Sequence, residues 1–175
     1  MKRILIIVGV VAAVLGVVFV VFMRQTKSHS PAATAVYQRN GLDIRVDYCQ
    51  PAKKGRVVFG ELLPYGKVWR TGANEATEII FSQPVLFAGK PVKAGKYTLF
   101  TIPDREKWTV ILNQETGQWG LSHNESEDLL RVVVPPVSQP DVTELFTIAL
   151  HEAGDGSEMQ LTWDQTKVTV PIRAQ

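Results

Sequence analysis

The chain holds a single cysteine, Cys49, and three histidines, His29, His123 and His151. One cysteine excludes an internal disulfide framework. Cys49 reads as a small apolar strand residue and not as a nucleophile, because no histidine lies near it in sequence. The spacings His-x-His, Cys-x-x-Cys and His-Glu-x-x-His are all missing, so no metal site and no cofactor is implied. There is also no Gly-x-Ser-x-Gly elbow, and Ala88-Gly89-Lys90 is a hairpin turn with no helix after it to cradle a phosphate. His29 falls between the two parts of the chain, His123 lies in a polar loop where it is expected to be solvated, and His151 ends a strand beside Glu152. No catalytic residue is assigned. Basic excess is missing too. Without Lys2 and Arg3, which open the chain, 17 Lys+Arg face 17 Asp+Glu. A formally neutral domain offers no clustered cations to displace counterions from nucleic acid, so nucleic acid is not an expected partner.

One long apolar run is present. Ile4 to Met23 carries no charge, proline or side-chain amide. As a helix its twenty residues would span about 30 Å, the thickness of a bilayer's hydrocarbon core. A cleavable signal would have a shorter run and a small-x-small site, and Phe19-Val20-Val21-Phe22-Met23-Arg24 offers none. The run therefore reads as a transmembrane signal-anchor. Residues 1–3 are then expected to form a cytoplasmic stub, and the soluble domain to lie in the periplasm or outside the cell. Lys2, Arg3 and the terminal amine favour an inner N-terminus, although Arg24 and Lys27 flank the other end. Residues 24–34, poor in large apolar groups, read as a linker, and 35–175 as one domain.

Within that domain the dominant period is two. Leu42, Ile44, Val46 and Tyr48 alternate with Asp43, Arg45, Asp47 and Cys49. Tyr97–Thr101, Trp108–Leu112, Phe146–Leu150, Met159–Trp163 and Val168–Ile172 repeat the pattern. Turn signals such as Lys93-Ala94-Gly95, Pro135-Pro136 and Gly154-Asp155-Gly156 separate the runs. Strand side chains point alternately to two faces, so each run offers one face to a core. Short strands at this spacing predict an all-β antiparallel sandwich, jelly-roll or Ig-like, behind a single transmembrane helix. The stretch Glu125–Leu130 predicts one helical turn, and Trp108 and Trp163 read as core.

The block Leu63-Pro64-Tyr65-Gly66-Lys67-Val68-Trp69-Arg70-Thr71-Gly72-Ala73-Asn74-Glu75-Ala76-Thr77 resembles the signature of domain-of-unknown-function family 2911. Lys54-Gly55-Arg56, Phe59-Gly60, Ala94–Leu99, Thr101-Ile102-Pro103, Trp108–Ile111, Gln118-Trp119-Gly120, Trp163 and Thr166-Lys167-Val168 agree in the same order. The resemblance runs from about Ser30 to Arg173 and implies an exported bacterial protein with a β-rich domain and no established reaction or ligand. The family pattern Ser-Arg-Pro is replaced here by Cys49-Gln50-Pro51.

That block is polar, aromatic and glycine-bearing, unlike a plain core strand. Tyr65 and Trp69 suit a stacking platform, Lys67 and Arg70 a carboxylate or phosphate, and Asn74 with Glu75 sugar hydroxyls. Trp119, between Gln118 and Gly120, is a second candidate for ligand contact. The structural alternative pairs Arg70 with Glu75 or stacks it on Trp69, while Asn74 fixes a turn. The expected function is a membrane-anchored binding or structural module of the cell envelope, with an envelope glycan or protein as partner. Two alternatives stand beside it. One is an envelope hydrolase using Glu75 near Arg70. The other is a domain stapled by a covalent crosslink from Lys67 to Asn74.

Overall fold

The structure is a computed structural model that describes residues 2–39 and 41–175, with the side chains of residues 2–6, 8, 12, 20 and 22–27 outside the description. Helix α1 (Lys2–His29) is followed by ten strands. These are β1 (Ala32–Arg39), β2 (Leu42–Cys49), β3 (Glu78–Phe81), β4 (Val85–Phe87), β5 (Lys90–Val92), β6 (Gly95–Ile102), β7 (Trp108–Asn113), β8 (Asp128–Val134), β9 (Pro136–Ala153) and β10 (Gly156–Ala174). They form two antiparallel sheets, ordered β1-β2-β3-β6-β7-β8 and β5-β4-β10-β9.

The alternation in the sequence explains most of this arrangement. In β2, Leu42, Ile44, Val46 and Tyr48 are buried, and they face Phe146, Ile148, Leu161 and Trp163 from the second sheet in one continuous core. Tyr48 ties the sheets together, because its hydroxyl donates to Ile148 O at 3.2 Å and accepts from Ile148 N at 2.9 Å. The central strands β6 and β7 depart from simple alternation. Thr98, Phe100 and Ile111 are buried on the face away from that core. The connection between β7 and β8 covers them. Glu115 O accepts from Thr98 Oγ1 at 2.6 Å, and the His123 ring meets Phe100 edge to face at 4.9 Å. His123 is thus packed and not solvated. Its Nε2 lies 2.7 Å from Asp128 Oδ1. The helical turn in this connection is a 3-10 turn, Glu125–Glu127, after which β8 begins at Asp128.

Residues 24–34, read above as a linker, run helical to His29 and enter β1 at Ala32. Among the described residues no helix is long and apolar enough to cross a membrane. The apolar run itself is only partly covered, since Ile4, Leu5, Ile6, Val8, Ala12, Val20, Phe22 and Met23 lie outside the described side chains. Those that are described, among them Ile7, Val10, Val14, Val17 and Phe19, are exposed and make no part of the sandwich core.

Candidate functional site

The signature block belongs to the long connection between β2 and β3, and its middle joins the first sheet. Trp69 N donates to Thr101 O at 2.7 Å, Thr101 N donates to Trp69 O at 2.9 Å, and Gly66 N donates to Pro103 O at 2.9 Å. Trp69 therefore continues the line of β3 beside the end of β6, and its side chain enters the core. It stacks on Trp163 with ring centroids 5.7 Å apart and meets Phe146 edge to face at 4.8 Å. Its indole N–H donates to Gly72 O at 3.0 Å. A Tyr65–Trp69 platform does not form. Tyr65 instead lies under the Arg105 guanidinium, 5.2 Å from the ring centroid.

After Trp69 the chain turns sharply. Thr71 and Asn74 adopt φ of 55° and 58°, a left-handed conformation that a β-branched threonine rarely takes. Side-chain bonds hold it there. Thr71 Oγ1 donates to Thr101 Oγ1 at 3.1 Å, and Thr77 Oγ1 donates to Thr71 O at 2.7 Å. Gly72 is required by close approach, since a Cβ there would sit 2.9 Å from Thr77 Oγ1 and 3.1 Å from Cys49 O. Strain held by neighbouring bonds is a feature of sites where the backbone must aim particular groups.

The groups aimed here line an open cleft of about 590 Å³, within the size range of small-molecule sites. Trp69 and Trp163 form part of its wall, Arg70, Asn74 and Trp119 border it, and Lys54, Arg56, Leu62 and Leu121 come from flanking loops. His29 and Ser30, where α1 ends, close one side. No acidic residue lines it among the described residues. Arg70 is half-buried, and its Nη1 donates to Asn74 O at 3.0 Å and to Trp119 O at 3.5 Å. It pairs with no carboxylate among the described residues, and burial pushes its pKa below the ordinary guanidinium value. Arginine stays charged even so, which leaves a cation in want of an anion. Gly120 brings the Trp119 loop against this side chain. Its φ is 68°, and a Cβ would sit 3.0 Å from Arg70 Cδ.

The remaining candidates fall elsewhere. Lys67 is exposed and outside the cleft. The amide of Asn74 donates to Ser30 O at 3.4 Å, and no hydrogen bond joins Lys67 to Asn74 among the described residues. Glu75 faces away from Arg70 into a second cavity of about 270 Å³, lined also by Asp47, Cys49, Glu78 and Gln118. Cys49, buried at the end of β2, places its Sγ 3.6 Å from Glu75 Oε2. Asp47 is held by Arg45 at 2.8 Å and by Thr34 at 2.7 Å, and Glu78 by Lys96 at 2.6 Å. The sequence reasoning missed Lys54, Arg56, Leu62 and Leu121. The signal available was the Lys54-Gly55-Arg56 stretch, two cations around a turn glycine.

A search of curated proteins and a search of solved structures each found no match. Residues 30–172 match the model of the family described as protein of unknown function DUF2911, and the chain belongs to that family.

Proposed function

We propose that this chain is a membrane-anchored, extracytoplasmic binding module of the bacterial cell envelope, and that its cleft takes an anion carrying an apolar part. The observation that supports this most is Arg70, a half-buried cation without a carboxylate, set beside Lys54, Arg56 and Trp119 in a cleft that no acid lines. A carboxylate or phosphate satisfies the fork of donors, and the indoles and leucines cover the apolar part. Anchoring rests on Ile4–Met23. Apolar side chains around a helix call for an apolar surrounding, and Ile7, Val10, Val14 and Phe19 find none in the sandwich. Export agrees with the family resemblance. The sandwich is of the jelly-roll or immunoglobulin-like kind.

The test is a titration of the full chain in neutral detergent micelles with phenyl phosphate, followed by tryptophan emission. A saturable change is expected. Arg70→Ala weakens it by about tenfold or more, the worth of a hydrogen bond to a charged group. No saturable change, or equal affinity in the variant, rules the cleft out as an anion site.

A second reading, an envelope hydrolase on Glu75, has one observation in its favour. Glu75 shares a cavity with Asp47 and Glu78, and hydrolysis of a glycosidic bond uses a pair of carboxylates. Two of the three are already occupied by cations, so this reading ranks behind the first. It expects Glu75→Gln to abolish cleavage of envelope glycans while the melting temperature holds. Unchanged cleavage in that variant would remove it.

A further inference from the structure

The position of the cleft relative to the anchor says more about its ligand than the cleft chemistry alone. His29 and Ser30 line it, so it opens where α1 ends. The apolar run stops at Met23, and the helix continues to His29. Six residues of helix advance about 9 Å. The head-group layer is about 5–8 Å deep on each side of the hydrocarbon core. With α1 seated as proposed above, the cleft mouth falls at the outer edge of the head-group layer, from which lysine and arginine side chains reach inward to the lipid phosphates.

Only Ser30 and Pro31 lie between α1 and β1, and both are bonded to the domain. Ser30 O accepts from Asn74 Nδ2 at 3.4 Å, Pro31 O accepts from Gln50 N at 2.8 Å, and β1 starts at Ala32. We infer that the anion held by Lys54, Arg56 and Arg70 is the phosphate head group of an anionic phospholipid in the same membrane. This inference rests on the anchored-module reading.

Two features of the cleft suit a phospholipid at this position. The first is its rim. Leu121 is 77% exposed and Leu62 38%, and both line the cleft. Exposed leucines beside cations suit an interface where acyl chains meet head groups, and they add nothing to the binding of inorganic phosphate. The second is donor supply. The bonds of Arg70 to the protein run from Nη1, so Nε and Nη2 have no protein acceptor among the described residues. Lys54 is exposed and its ammonium makes no bond among the described residues. These donors match the non-bridging oxygens of a phosphodiester, and basic groups near a bilayer surface are the usual means of selecting acidic lipids.

The test uses the full chain in nanodiscs of phosphatidylcholine with increasing phosphatidylglycerol. A lipid spin-labelled at the head group quenches tryptophan emission, and the Trp119 part is isolated by difference from Trp119→Phe. Trp119 quenching is expected to rise and saturate with phosphatidylglycerol. Lys54→Gln raises the half-saturating fraction about fivefold, the worth of one cation at a charged surface. Adding Arg56→Gln raises it about fivefold again. Lys54 makes no side-chain bond among the described residues, so its variant keeps the test valid even if the loss of Arg56 loosens its loop. Phenyl phosphate is expected to reverse the rise. Quenching that ignores phosphatidylglycerol, or follows it equally in both variants, overturns the lipid inference. If phenyl phosphate still binds in phosphatidylcholine discs, the anion cleft stands with a soluble ligand. If neither probe acts on Trp119, both readings fall.

Discussion

Trp69→Ala is expected to lower stability by about 3–5 kcal/mol, the cost of truncating a buried large aromatic. The residue is 7% exposed and touches both Trp163 and Phe146. Its loss opens a cavity between the sheets and strips the indole bond from Gly72 O. A domain of this length holds about 5–15 kcal/mol in total, so the variant approaches the unfolding threshold. Its melting temperature falls by about 10 °C or more. Trp69→Phe keeps a smaller aromatic ring but leaves the Gly72 carbonyl without its donor, a cost of about 1–3 kcal/mol. Urea unfolding of the full chain in neutral detergent micelles measures both. A loss under about 1 kcal/mol for alanine would show that Trp69 is a surface residue after all.

Asp128→Ala is expected to cost about 2–4 kcal/mol, because it leaves donors packed against an absent carboxylate. The Asp128 side chain is 7% exposed and accepts from Asn113 Nδ2 at 2.8 Å, from His123 Nε2 at 2.7 Å and from Arg131 Nη2 at 2.6 Å. Its role is to clamp the connection between β7 and β8 over Phe100 and Ile111. Burial opposes ionisation of this carboxyl, yet the bonds from Asn113, His123 and Arg131 outweigh burial and hold its pKa below the ordinary value. The sign follows from linkage. The unfolded carboxyl titrates near about pH 4, and the folded one lower. The stabilisation is therefore complete above the unfolded pKa and is lost as pH falls through the folded one. Melting temperature against pH is expected to drop below about pH 4 in the native chain. In Asp128→Asn that acid limb flattens. An unchanged limb would assign the acid sensitivity to other groups.

Much of the fold is readable from alternation, because a strand with one wet face has to write it. The runs Leu42–Cys49 and Trp108–Asn113 match β2 and β7. The pattern fails where burial is two-sided or the strand is interrupted. Phe100 and Ile111 are buried under a polar connection, and alternation carries no sign of a cover. The runs Met159–Trp163 and Val168–Ile172 are one strand, β10. The register shifts around Asp164, whose φ of 52° breaks the period between them.

The site was legible in part for the same kind of reason. Arg70, Asn74 and Trp119 do meet in one cleft, and their unusual company in sequence marked them. Trp69 shares that company but is drawn inward by its pairing with Thr101, a contact made across more than thirty residues that local composition does not encode. Glu75, next to Asn74, turns into the other cavity because Asn74 is left-handed and Ala76 is held by Gln118 O at 3.2 Å. Lys54 and Arg56 reach the cleft from a loop whose path only the folded core determines.

The most direct measurement is a crystal structure of the chain soaked with 4-bromophenyl phosphate, read by bromine anomalous scattering. The phosphate is expected within about 3 Å of the Arg70 guanidinium, with the bromine toward Trp119 and Leu121. A bromine peak elsewhere, or an empty cleft with Arg70 still bonded only to the carbonyls of Asn74 and Trp119, would contradict the anion-binding cleft.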